Sequence, residues 1–179
     1  MGLLDIVDED DNVIGQADFE EIHAKGLRHR SAQIFATDYE LGNLTSRILV
    51  AERSQKQKTS KGKLHPSAAG HPMAGQNHLE GATMQLRDEL FYSKRNLPSG
   101  LSLVEIASYK NDTRETNKEN TKLYAVQYPG PFSPNPKEIG RVFWQWPMIL
   151  LEDMKNSPEK YTQTFVNALA QYMDFINKH

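Results

Sequence analysis

The sequence predicts an α/β fold, and three observations carry that expectation. Short apolar runs bounded by turn-forming polar clusters recur along the chain and read as strands. An amphipathic helical stretch spans residues 77–92, and a second one closes the chain, with Phe165, Leu169, Tyr172 and Ile176 repeating at helical spacing. With 179 residues, 38% of them apolar, there is material for one compact core, so a single domain over residues 1–179 is expected.

The elements follow in order. Residues 3–7 and 13–17 are apolar-rich runs around Asp8-Glu9-Asp10-Asp11-Asn12, an acidic turn, and predict a hairpin. Asp18 with Glu21 three residues on fits a capping box opening a short helix, and Gly26 fits its end. Residues 32–37 and 47–52 read as two central strands joined through Gly42 and Asn43. Residues 54–66 hold Lys56, Lys58, Lys61 and Lys63 with almost no apolar side chains, so they predict a basic loop. In the helix that follows, Leu79, Ala82, Leu86 and Leu90 make an apolar stripe, while Gln85, Asp88 and Glu89 share another face. Residues 103–109 and 123–128 are strand-like and flank the polar tract Lys110 to Lys122, long enough to be functional rather than a simple connector. Four prolines between 129 and 136 predict irregular backbone. A last strand over 142–146 stops at Pro147, which can open a helix over 148–155.

Composition excludes several classes. A net charge of −2 gives no global field favouring nucleic acid or an anionic membrane. The absence of cysteine removes disulfides, thiolate metal sites and any cysteine nucleophile. No run approaches the roughly 18 apolar residues of a membrane span, and residues 1–11 do not resemble a signal peptide. The expected setting is cytoplasmic, the expected partner a small molecule.

The chemistry concentrates in residues 70–91, a glycine-containing loop feeding the helix with acidic residues on one face, which can hold a divalent metal against a diphosphate. This stretch resembles the Nudix box: Gly, five residues, Glu, seven residues, then Arg-Glu-Leu-x-Glu-Glu-x-Gly. Gly70 and Leu86 match, and Asp88 and Glu89 fill the acidic pair. Gln76, Met84, Gln85 and Phe91 replace the first Glu, the Arg, the next Glu and the last Gly. The segment from His23 to Arg30, the opening from Asp5 to Gly15 and Ser67-Ala-Ala-Gly-His71 resemble Nudix hydrolases of the isopentenyl-diphosphate-isomerase-like group.

The resemblance implies an α/β/α sandwich with a mixed central sheet and a metal-dependent hydrolase of a small diphosphate-containing molecule, using Mg²⁺ or Mn²⁺. It implies Asp88, Glu89 and Gln85 as metal ligands and Glu89 and Glu138 as catalytic carboxylates, while Arg30 and Arg53, whose guanidinium groups match phosphate oxygens, and His71 are the candidate substrate contacts. Arg141 stands where several relatives carry another acid. Because Gln76 and Gln85 keep oxygen but drop charge, weak metal binding and weakened turnover are expected. Isomerases of the group use a cysteine in Cys-Gly-His-Pro to move an allylic proton. The chain has Ala69-Gly70-His71-Pro72, and alanine exchanges no proton, so isomerase activity is not expected. Their metal sites also draw on histidines and carboxylates, and His23, His29, His71 and Glu119 lie near the corresponding places. Two alternatives stay open beside the hydrolase: a catalytically silent domain binding a nucleotide or protein partner, and an altered metal enzyme using His71 and its neighbours.

Overall fold

The computed structural model describes residues 2–43, 45–94 and 96–178. Strand β3 (His29–Thr37) organises the molecule. Along one edge it runs parallel to β8 (Glu119–Gln127), in register from His29 opposite Glu119 to Thr37 opposite Gln127. Its other edge is shared antiparallel by three strands in turn. β1 (Leu3–Val7) meets it at His29, β6 (Ala68–Gly70) at residues 32–34, and β4 (Ile48–Arg53) at Thr37. Outward from these, β2 (Val13–Asp18) pairs β1, β5 (Leu64–His65) and β9 (Ile139–Gln145) pair β4, and β7 (Val104–Lys110) pairs β8. The sheet is mixed, as expected.

Side chains of β3 alternate between two apolar layers because strand side chains alternate faces. Ala32, Ile34 and Ala36 pack with Leu49 and Ala51 beneath Ala82, Leu86 and Leu90 of helix α2 (His78–Leu90). Phe35, Ile48, Val50 and Leu123 face the other way, onto α3 (Pro147–Asn156) and α4 (Gln163–Lys178). Phe35 sits 5.8 Å from the Phe165 ring and 5.4 Å, edge to face, from Tyr172. Each such fully buried side chain contributes about 1.5–3 kcal/mol. The architecture is an α/β/α sandwich. Among the described residues, no helix is long and apolar enough to cross a membrane.

Most local signals act as anticipated. Asp18 caps α1 (Phe19–Lys25) by accepting from Glu21 N at 2.8 Å, and Gly26 ends it at φ 63°, a left-handed conformation that glycine tolerates. Asn77 and Glu80 form a reciprocal capping box that starts α2.

Two expectations need correction. The buried stripe of α2 does not include Leu79, which is 47% exposed; His78 is buried instead, donating from Nε2 to Asn120 O at 3.0 Å. The helix phase is constrained by Gly81, where a Cβ would lie 2.6–2.8 Å from Pro72, so the helix packs against the 71–73 segment there. The polar tract 110–122 is also shorter as a loop, because β8 begins at Glu119. Glu119 and Thr121 are buried through side-chain hydrogen bonds with Ser31, which hydrophobicity does not announce.

Candidate functional site

Strand β6, the turn after it and the acidic edge of α2 border a cleft of about 630 Å³. Arg53 from the end of β4, His71, Gln85, Asp88, Glu89 and Glu138 all line it, so six of the seven residues singled out from the sequence come together. Arg30 does not line it. Its guanidinium is held by Asp11, with Nε 3.1 Å from the carboxylate and Nη2 2.8 Å from Asp11 O, and lies 3.6 Å from Asp5.

Gly70 lets the box helix approach the strand. A Cβ there would fall 2.3 Å from Gln85 Cδ, so Gln85 lies directly over the glycine backbone. One residue before it, Ala69 N donates to Glu89 Oε1 at 3.2 Å. Burial pushes the Glu89 carboxyl up to about 8, and the charges of Glu138 and Asp88 add to it, against the Ala69 N–H and Arg53, which favour the anion. Asp88 is exposed and pairs with Arg87 at 2.7 Å.

The replaced box positions have local work. Gln76 does not line the cleft but accepts from Met73 N at 2.8 Å and closes the 73–76 turn, whose Gly75 N donates to Asp5 at 2.9 Å. Phe91 is fully buried, 5.3 Å from the Tyr128 ring and 5.7 Å from Phe132. An aromatic core residue thus takes the place of the glycine that ends the motif.

A second constellation meets the cleft at His71. His23 from α1, His29 from β3 and His71 bring ring nitrogens to within 4.8 Å of one another, the group of three ligand-type side chains so gathered among the described residues. Their Nδ1 atoms face Phe19 O at 2.8 Å, Leu27 O at 3.0 Å and Arg30 O at 3.2 Å. A carbonyl only accepts, so each Nδ1 carries the proton, and in a neutral ring each Nε2 keeps its lone pair. Burial lowers both His29, to about 4, and His71, which holds them neutral near pH 7. His29 Nε2 is buried without a hydrogen-bond partner, 4.0 Å from Glu119 Oε1. Glu119 is itself held by Ser31 Oγ at 3.0 Å, Asn111 Nδ2 at 2.7 Å and Asn117 Nδ2 at 3.1 Å.

Backbone carbonyls that fix the far nitrogen of each imidazole are the outer shell that metal-ligating histidines use. The donor set of three imidazoles with a nearby carboxylate fits a divalent transition metal. The box edge offers oxygens alone and fits Mg²⁺ or Mn²⁺. It is looser, since Asp88, Glu89 and Glu138 do not gather within the same 4.8 Å limit. Spacing in sequence reveals the box edge. The cluster comes from α1, β3 and the end of β6, and its signal in the sequence is the density of histidines around residues 23–29 and at 71.

No family model matches the chain. It is 29% identical over 175 residues to an uncharacterised Nudix hydrolase of Yersinia pestis, covering 98% of this chain and 87% of that protein. It is 30% identical over 169 residues to a protein of Serratia proteamaculans named isopentenyl-diphosphate Delta-isomerase, covering 93% of this chain and 89% of that protein. A crystal structure of a Deinococcus radiodurans protein superposes with a TM-score of 0.77 at 20% identity, covering 94% of this chain and 98% of that one, a likeness of fold.

Proposed function

Since the chain belongs to the Nudix family, in its isopentenyl-diphosphate-isomerase-like group, we propose that it hydrolyses a small diphosphate-containing molecule, such as a nucleoside diphosphate derivative, in the cleft beside α2. The observation that carries this reading is the convergence of Arg53, Glu89 and Glu138 on one cleft around Gly70. Glu89, with Asp88 and Gln85, would hold Mg²⁺ or Mn²⁺, and because burial raises the affinity of the Glu89 carboxyl for a proton, the cation would bind in competition with that proton. When bound, the ion supplies charge neutralisation for the diphosphate and polarises a phosphoryl oxygen.

The chain's own residues supply the rest. Arg53 matches phosphate oxygens with its planar donors. Glu138 takes a proton from the attacking water as the new P–O bond forms and the bridging P–O bond breaks. Loss of charge at Gln85 weakens cation binding and with it turnover, whereas Gln76 lies outside the cleft. Prenyl isomerisation is not part of the reading. Ala69 offers a methyl group and a backbone N–H already given to Glu89, and neither moves an allylic proton. Exchange of solvent deuterium into a prenyl diphosphate would contradict that.

A second reading, an altered metal enzyme, is favoured by one observation, the gathering of three imidazoles, of which His29 lies 4.0 Å from Glu119. The same experiment separates the readings. A panel of diphosphate substrates is assayed with Mg²⁺ and Mn²⁺ for wild type, Glu89→Gln and His29→Ala. Turnover lost in Glu89→Gln alone supports the box-edge hydrolase, and turnover lost in His29→Ala alone supports the histidine centre. A wild type that binds diphosphates and hydrolyses none leaves a silent binder.

A further inference from the structure

Gln57 belongs to the lysine-bearing loop between β4 and β5 and lines the cleft. Its amide is held at both ends. Oε1 accepts from Arg53 Nη2 at 2.9 Å. Nε2 donates to Lys137 O at 3.0 Å and to Glu138 Oε2. Because a guanidinium only donates, Arg53 determines which end of the amide faces it, and the NH₂ group must turn to Glu138.

Arg53 is anchored in turn. Its Nε donates to Thr59 O at 3.3 Å, and its backbone pairs with Lys63 O at 2.9 Å and Gly62 N at 3.0 Å. The segment carrying Glu138 is tied to the same loop, with Ser54 N donating to Glu138 O at 2.8 Å and Ser54 Oγ to Pro136 O at 3.1 Å. One neutral amide therefore joins the side chains of the cation and the carboxylate assigned to phosphate binding and proton transfer. Glutamine suits this place, since it presents an acceptor to one charge and a donor to the other. A carboxylate there would repel Glu138, and an ammonium would repel Arg53.

We propose that Gln57 is a positioning residue for the hydrolysis: oriented by Arg53, it engages Glu138 Oε2 and leaves Oε1 to receive the proton of the attacking water. The inference rests on the hydrolase reading above. Its physical content is pre-organisation, because an exposed glutamate otherwise samples several rotamers and must be ordered during the reaction.

Two double-mutant cycles on the full chain test it. The first measures kcat and KM for the substrate hydrolysed fastest in the panel, for wild type, Gln57→Met, Glu138→Gln and the double variant. Gln57→Met should lower kcat about tenfold, the factor that a lost interaction of about 1.4 kcal/mol converts to, with KM changed less than about twofold. In the Glu138→Gln background the same change should do nothing further. The second cycle follows trypsin cleavage after Lys56 and Lys58 and needs no turnover. Each single variant should speed cleavage severalfold, and the double variant should match either single one. An active protein whose cycles are additive, or whose Gln57→Met variant loses thermal stability while keeping kcat, overturns the positioning role alone. Inertness of wild type toward the whole panel overturns the hydrolase reading and this role with it, and the trypsin cycle then reports the loop clamp by itself.

Discussion

The acidic edge of α2 and the histidine cluster both border the turn at Gly70 and His71, yet they are built in opposite ways. On the edge, Gln85, Asp88 and Glu89 follow one another on a single helix, so their proximity comes free with the 3.6-residue turn. Their ligand atoms stay loosely gathered, and Asp88 spends its charge on Arg87. In the cluster, three rings arrive from separate elements, each with its far nitrogen tied to a carbonyl and its lone pair left over. Adjacency along a helix brings residue types to a site, whereas convergence of tethered side chains fixes the geometry of a donor set.

Four experiments break or sharpen that contrast. The largest effect is expected from Glu89→Gln, which should cut turnover on the panel by on the order of a hundredfold or more, as electrostatic terms borne by a metal are worth several kcal/mol. Steady-state assays with saturating Mn²⁺ measure it, and retained turnover would move the chemistry away from the helix edge.

Next in size is the effect expected where the histidine cluster holds a metal. His29→Ala should weaken Co²⁺ or Zn²⁺ binding by on the order of a hundredfold, given that even outer-shell losses cost ten- to a hundredfold. Calorimetry and the visible spectrum of the Co²⁺ form read this, and Glu89→Gln should leave both unchanged.

A smaller effect is one of pH. The folded Glu89 carboxyl titrates at about 8 against an ordinary 4.5, so between those values the metal-free fold binds a proton that the unfolded chain has released. Stability then falls as pH rises through this window. Glu89→Gln removes the penalty. Its melting temperature in chelator should equal that of wild type near pH 4 and exceed it by on the order of 10 °C at pH 8, since a rise from 4.5 to about 8 is worth about 4 kcal/mol there and each kcal/mol about 2–4 °C for a chain of this size. Parallel melting curves from pH 4 to 8 would refute a buried acid at this place.

The smallest change is expected from Gln85→Glu. One added carboxylate beside Asp88 and Glu89 should tighten Mg²⁺ several-fold. Titration calorimetry showing equal affinity would mean that this face does not hold the ion.

Much of the fold was legible because its signals are local. Asp18 and Gly26 bracket α1, Pro147 opens α3, and Phe165, Leu169, Tyr172 and Ile176 bury one stripe of α4. The site was legible in part for the same reason, since Gly70, Gln85, Asp88 and Glu89 lie in one motif. His78 and Glu119 were missed as buried residues because polar side chains are buried only when partners such as Asn120 O, Ser31 and Asn111 are provided from elsewhere. Gln57 was likewise unreadable, as its partners Arg53 and Glu138 are set by loop geometry.

By itself the sequence determined the periodicities, the caps, the glycine against which the box helix packs and the absence of any thiol chemistry, all properties of residues close along the chain. Tertiary structure decided which polar groups meet. The parallel pairing of β3 with β8 puts Glu119 opposite His29, and the antiparallel pairing with β6 brings Gly70 beside Ala32, with His71 next to it. Those registers depend on packing across both faces of the sheet, and no interval between histidines in the chain encodes them.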